Sequence, residues 1–274
     1  MIRTIRTLLP AICLAGWLSA AVGAAASAQD WAKERLENSP RHQEWVKVKH
    51  GDREIECFLV FPEVSRESTA VVVIHEIFGL ADWVRSLTDQ LAEAGYIAIA
   101  PDLLSGMAPE GGGTAELGGP DAARRVIANL PPDQITADLN ATAEFVVRLP
   151  AANGKVAACG FCWGGREVFR FATNNQQIKA AFVFYGNGPT DADAIARITC
   201  PVYGFYGGND ARVNATIPQT AELMKAAGKT FEPVIYEGAG HGFMRAGEAP
   251  DASPENIKGR AEAWERWKTL LSGL

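Results

Sequence analysis

Cysteine and histidine are scarce in this chain. Its 274 residues hold five cysteines and four histidines. Past residue 28 the cysteines are Cys57, Cys159, Cys162 and Cys200. They are too widely spaced for the stapled framework of a small secreted domain. No Cys/His group has the spacing of a zinc site, so neither a metal nor another cofactor is expected. The chain has no internal repeat, and no low-complexity tract is expected beyond the N-terminus. Positive charge is also short: 26 Lys and Arg face 32 Asp and Glu, a formal net charge of −6. An acidic chain without a basic cluster is a poor match for nucleic acid or an anionic membrane. Neither is expected as a partner. An anionic substrate would have to be drawn in by local arginines against the overall field.

What is present begins with a targeting pattern. Arg3 and Arg6 precede an apolar stretch over residues 8–25, followed by Ala26-Ser27-Ala28. A charged start, an apolar run and an A-x-A site make a cleavable export signal, with Gln29 as the first mature residue. An uncleaved anchor and acylation at Cys13 are the alternatives. The Ala/Gly richness of the stretch argues against the first, and the bulky Ile12 against the second. Cleavage removes Arg3 and Arg6 and no acid, taking the charge from −6 to −8. The expected organisation is a signal peptide over 1–28 and a single domain over 29–274. That domain is expected in the periplasm or secreted, with no membrane contact after cleavage. The 274-residue chain, 47 % apolar, is long enough for one large core.

Residues 29–41 are polar and read as a short helix or a surface arm. Residues 44–50 and 54–61 alternate around Gly51-Asp52, which predicts an antiparallel hairpin. Further strands are predicted at 70–74, 96–100, 155–159, 180–185, 201–206 and 231–236. Helices are predicted from Asp82 as a cap through 94, and over 121–130, 133–149, 163–173, 217–227 and 254–271. Strand alternating with helix implies an α/β fold: a mostly parallel sheet covered on both faces. Residues 103–120 are glycine-rich and too long for an ordinary connection, which marks a functional cover.

Three residues carry the chemistry. Cys162 lies in Gly160-Phe161-Cys162-Trp163-Gly164-Gly165, after an apolar run. That is a nucleophile elbow with sulfur in place of the usual serine oxygen: small neighbours allow a sharp strand-to-helix turn. The start of a helix favours both a thiolate and an oxyanion beside it. Asp210 follows a strand-like run ending in Gly207-Gly208-Asn209, and His241 sits among glycines in Gly238-Ala239-Gly240-His241-Gly242. Nucleophile, acid, histidine is the chain order of α/β-hydrolases. Each residue lies just past a predicted strand, where open α/β sheets place their sites. Taken singly, Cys162 would be a buried cysteine and Asp210 an ordinary turn residue. Their order gives them weight. Phe78, Trp83, Trp163 and Phe243 are candidates for an apolar pocket wall, Trp163 first because it adjoins the nucleophile.

A fourth segment, His75-Glu76-Ile77-Phe78-Gly79, makes the pattern more specific. With the elbow, the Asp210 turn and the His241 loop, it resembles the dienelactone hydrolase (carboxymethylenebutenolidase) family from about Val46 to the C-terminus. The resemblance implies an α/β-hydrolase fold and cleavage of small esters or lactones, carboxylate-bearing ones among them, through a thioester on Cys162. His241 is then the base and Asp210 its orienting acid. Glu76 is implied as partner of the resting thiol. The backbone amides of Ile77 and Trp163 would be the oxyanion hole. Arg245, four residues after His241, is implied as a carboxylate binder, with Arg124 or Arg125 as a second. Broader carboxylesterase or thioesterase activity is an alternative. Cys159 and Cys162 also form C-x-x-C, which raises a thiol-disulfide oxidoreductase.

Overall fold

The structure, a computed structural model, describes residues 29–274. The export pattern and Cys13 lie outside them. In chain order the elements are α1 (Asp30–Glu37), β1 (Gln43–His50), β2 (Arg53–Val60), β3 (Ser68–Ile74), α2 (Asp82–Glu93) and β4 (Ile97–Pro101). A 3-10 turn (Thr114–Leu117), α3 (Pro120–Ile127), α4 (Pro132–Val147), β5 (Ala152–Phe161), α5 (Trp163–Ala172), β6 (Ala181–Phe184) and α6 (Ala192–Ala196) follow. Then come β7 (Val202–Gly207), α7 (Ala211–Asn214), α8 (Ile217–Ala226), β8 (Phe231–Tyr236), α9 (Phe243–Ala246) and α10 (Pro254–Ser272).

One eight-stranded sheet runs in the order β1-β2-β4-β3-β5-β6-β7-β8. The predicted hairpin is there, β1 against β2, and β2 pairs antiparallel with β4. From β4 to β8 every pairing is parallel. The fold is thus the expected α/β-hydrolase sheet. Side-chain alternation explains its two covered faces. Val72 and Ile74 join one core with Leu139 of α4 and Phe169 of α5. Val71 and Val73 join the other with Trp83 of α2 and Trp267 of α10. All seven residues of β3 are buried, and each Val or Ile so buried contributes about 1.5–3 kcal/mol.

Two expectations change. Asp82 does not cap α2: the N-cap is Ala81, which offers no side-chain bond, and Asp82 is a first-turn residue paired with Arg85. Gln29 replaces it, its side-chain Oε1 accepting from the Trp83 N–H at 2.8 Å. The short helices α6, α7 and α9 were not predicted. Four or five residues are too few for an apolar stripe to repeat.

Candidate active site

Cys162 stands at the joint of β5 and α5 with φ +56° and ψ −114°. A non-glycine residue there costs on the order of 1–3 kcal/mol and persists only where its surroundings force it. The surroundings do. The Cys162 N–H donates to the Phe184 carbonyl at 3.0 Å. A Cβ on Gly160 would lie 2.1 Å from the Gly164 carbonyl oxygen, and one on Gly164 would lie 2.3 Å from that of His75. The glycines let strand and helix touch, and the turn lifts the sulfur above the sheet.

Asp210 follows β7 and caps α7, its Oδ1 accepting from the Val213 N–H at 3.3 Å. Its other oxygen, Oδ2, lies 2.5 Å from His241 Nδ1, and His241 Nε2 lies 3.1 Å from Cys162 Sγ. Residues from three strand ends, as much as 79 positions apart, form one continuous path of hydrogen bonds. Asp210 is buried, while His241 is about one-third exposed. The Cys162 thiol is pushed up from its usual range, first by burial and then by the charge of Glu76. The Trp163 backbone N–H, a donor to the sulfur, and the Arg212 guanidinium act the other way.

Glu76 is buried at the end of β3, and its Oε2 accepts from Arg245 Nε at 2.8 Å. Burial pushes its carboxyl up and Arg245 pulls it down. The contact with the resting thiol implied by the family resemblance is not formed: the sulfur meets His241, and Glu76 reaches it through charge alone. The Ile77 N–H has no partner among the described residues. His75 is fully buried and held neutral by desolvation. Its Nδ1 bonds the Glu76 carbonyl at 2.8 Å, and its ring stacks on Trp163 at 5.4 Å.

The two candidate arginines of α3 separate. The guanidiniums of Arg124 and Arg245 lie 4.8 and 5.5 Å from the centre of the Phe78 ring. Arg125 is exposed and makes no such contact among the described residues. A cavity of about 380 Å³ opens beside Arg245, walled by Phe78, Leu80, Thr114 and Pro120. Of the four aromatic candidates only Phe78 lines it. Trp83 and Phe243 are fully buried, and Trp163 is buried against His75. Large apolar rings near a site go to the core whenever there is core to fill.

Cys57, Cys159 and Cys200 are buried free thiols. Burial holds the Cys159 thiol far above its usual range. A redox pair needs an accessible, acidic thiol, so the oxidoreductase reading loses its second cysteine. One neighbour was missed. Tyr185, at the end of β6, has φ +42° and a buried hydroxyl without a partner among the described residues. Its ring stands edge-on to His241 at 5.1 Å. Its place just past a strand end was a usable signal.

The family model described as the dienelactone hydrolase family matches residues 55–273. A protein of Methylorubrum extorquens provisionally named a carboxymethylenebutenolidase is 32 % identical over 209 residues, covering 72 % of this chain and 71 % of the relative. A Synechocystis protein with the same provisional name is 30 % identical over 242 residues, covering 82 % and 94 %. A crystal structure from Klebsiella pneumoniae, provisionally named a dienelactone hydrolase, superposes with a TM-score of 0.74 at 26 % identity, over 85 % of this chain and 99 % of that one.

Proposed function

The chain belongs to the dienelactone hydrolase family and is an ester or lactone hydrolase of that kind; from this premise we propose that it works through a thioester on Cys162, with His241 as base and Asp210 as orienting acid. The observation that carries the reading is the unbroken path from Asp210 Oδ2 through the His241 ring to Cys162 Sγ. His241 Nε2 takes the thiol proton as the sulfur bonds the acyl carbon. The carbonyl electrons move onto oxygen, beside the amides of Ile77 and Trp163. Collapse expels the alkoxide or enolate, which takes the proton from His241. Water, deprotonated by His241, then cleaves the thioester and restores the thiol. A screen over p-nitrophenyl esters and unsaturated lactones tests this, with mass spectrometry of the quenched enzyme. An acyl adduct on Cys162 is the expected result. Turnover without one under single-turnover conditions would count against the thioester.

Arg245 and Arg124, both packed over the Phe78 ring, are the proposed recognition pair for a substrate carboxylate. Guanidinium geometry suits that group. For Arg245→Ala we expect kcat/KM on carboxylate-bearing esters to fall about 10- to 100-fold, the worth of a charge-assisted hydrogen bond. Neutral esters should change by less than about threefold. Equal losses on both classes would mean that Arg245 only braces Glu76.

Glu76 is proposed to hold the resting thiol protonated through its charge. Glu76→Gln removes the negative charge and leaves the Arg245 cation without its counter-charge, which lowers the thiol pKa. The thiolate fraction near neutral pH then rises, and alkylation of Cys162 by iodoacetamide should quicken severalfold. The check is the pH profile of alkylation, with the three buried cysteines followed by mass spectrometry. An unshifted profile would leave Glu76 as the partner of Arg245 and nothing more.

A further inference from the structure

The loop over residues 102–119 is fastened to the turn that follows β3. Asp102, buried at the end of β4, turns both carboxylate oxygens toward Thr114. Its Oδ2 accepts from the Thr114 N–H at 2.7 Å, and its Oδ1 accepts from the Thr114 hydroxyl at 2.7 Å and from the Leu104 N–H at 3.0 Å. The Thr114 oxygen, its own proton committed to Asp102, then accepts from the Leu80 N–H at 3.0 Å. Leu80 directly follows the turn that runs from Glu76 to Gly79. The Gly79 N–H bonds the Glu76 carbonyl at 3.2 Å across that turn. Thr114 also presses on Gly79 itself: a Cβ there would lie 2.3 Å from the Thr114 oxygen, at a φ of +77°. The opposite end of the turn is fixed by His75, through its bond to the Glu76 carbonyl and its stack on Trp163. Between these anchors lies Ile77, whose N–H is unpartnered among the described residues.

We propose that Thr114 is a positioning residue for the oxyanion turn: oriented by the buried Asp102, its hydroxyl holds the Leu80 amide and so fixes where the Ile77 amide points. This rests on the oxyanion assignment above. The carboxylate makes the clamp directional, because a hydroxyl that must donate to Asp102 can only accept from Leu80. The geometry also joins the site to the cavity beside Arg245, since Thr114 and Leu80 line it with Phe78.

Thr114→Val keeps the shape of the side chain and removes both hydroxyl bonds. On p-nitrophenyl acetate kcat should fall about 10- to 30-fold with KM within about twofold, part of the 10²–10³ carried by a whole oxyanion donor. Thr114→Ser should return kcat to within about threefold of wild type. Alkylation of Cys162 by iodoacetamide builds no oxyanion, so its rate should not move. A purely structural threonine would lower folded yield and melting temperature without separating hydrolysis from alkylation. An unchanged kcat in Thr114→Val, a parallel drop in alkylation, or a loss lying wholly in KM would overturn the clamp. If the valine variant does not fold by circular dichroism, Thr114→Ala is held to the same three criteria. Turnover surviving in Cys162→Ala would overturn the thiol reading and the clamp with it. Thiol-dependent turnover that ignores Thr114 overturns the clamp alone.

Discussion

Cys162→Ala is expected to reduce ester hydrolysis to the uncatalysed background, and His241→Ala to reach nearly the same floor. The two residues act as a unit. The sulfur has no basic neighbour in contact other than His241 Nε2 at 3.1 Å among the described residues, and burial and the charge of Glu76 both push its thiol up. Without His241 the thiolate has to form unaided in a setting that opposes it. Without Cys162 the imidazole has no nucleophile to activate. Knocking out either member of a comparable serine pair costs about 2 × 10⁶ in kcat, and removing both costs little more. The double variant here should therefore be no slower than Cys162→Ala. Neither change should unfold the protein: Cys162→Ala removes one atom at a partly exposed elbow, and His241 is a loop residue. The measurement is initial rate on p-nitrophenyl acetate beside a melting curve for each variant. Turnover within tenfold of wild type in either folded single variant would sink the assignment.

Much of this arrangement was legible in the residues, for identifiable reasons. Residues 70–74 of strand β3 are an uninterrupted apolar run because helices cover both faces of the sheet, and such runs are readable without a partner. The elbow was readable because Gly160 and Gly164 have backbone carbonyls where a side chain would begin. Asp210 and His241 were readable by order and by their places after strands. What could not be read is contact between distant segments. The cap of α2 comes from Gln29, 54 residues upstream, while Asp82 looked like the local answer. Arg124 and Arg125 are adjacent in sequence, and contacts with the Phe78 ring and Asp121 tell them apart. The pairing of Glu76 with Arg245 spans 169 positions, and it leaves the thiol to His241. Tyr185 and Thr114 belong to no motif. One shows itself by a strained backbone and a hydroxyl unpartnered among the described residues, the other by three hydrogen bonds to groups that sequence does not bring together.

Asp210→Asn is expected to lower kcat about 10⁴-fold, the loss seen when a triad aspartate becomes an amide. The carboxylate can only accept at His241 Nδ1, 2.5 Å away, so it keeps the proton on Nδ1 and leaves Nε2 free to take one from sulfur. An asparagine at the same place can turn its NH₂ toward Nδ1. The ring then carries its proton on Nε2 and presents a donor to the thiol. The base is lost although no atom has moved far. The fold should survive, because an amide oxygen can still accept from the Val213 N–H and keep the start of α7 capped. The pH dependence distinguishes this from general damage. Raising the pH forms thiolate without help from His241, so the Asp210→Asn deficit should shrink steadily on the alkaline side. A misfolded site would show the same deficit at every pH. A loss under tenfold would mean that another acid orients the ring, and Glu237, on the same loop as His241, is the first to replace.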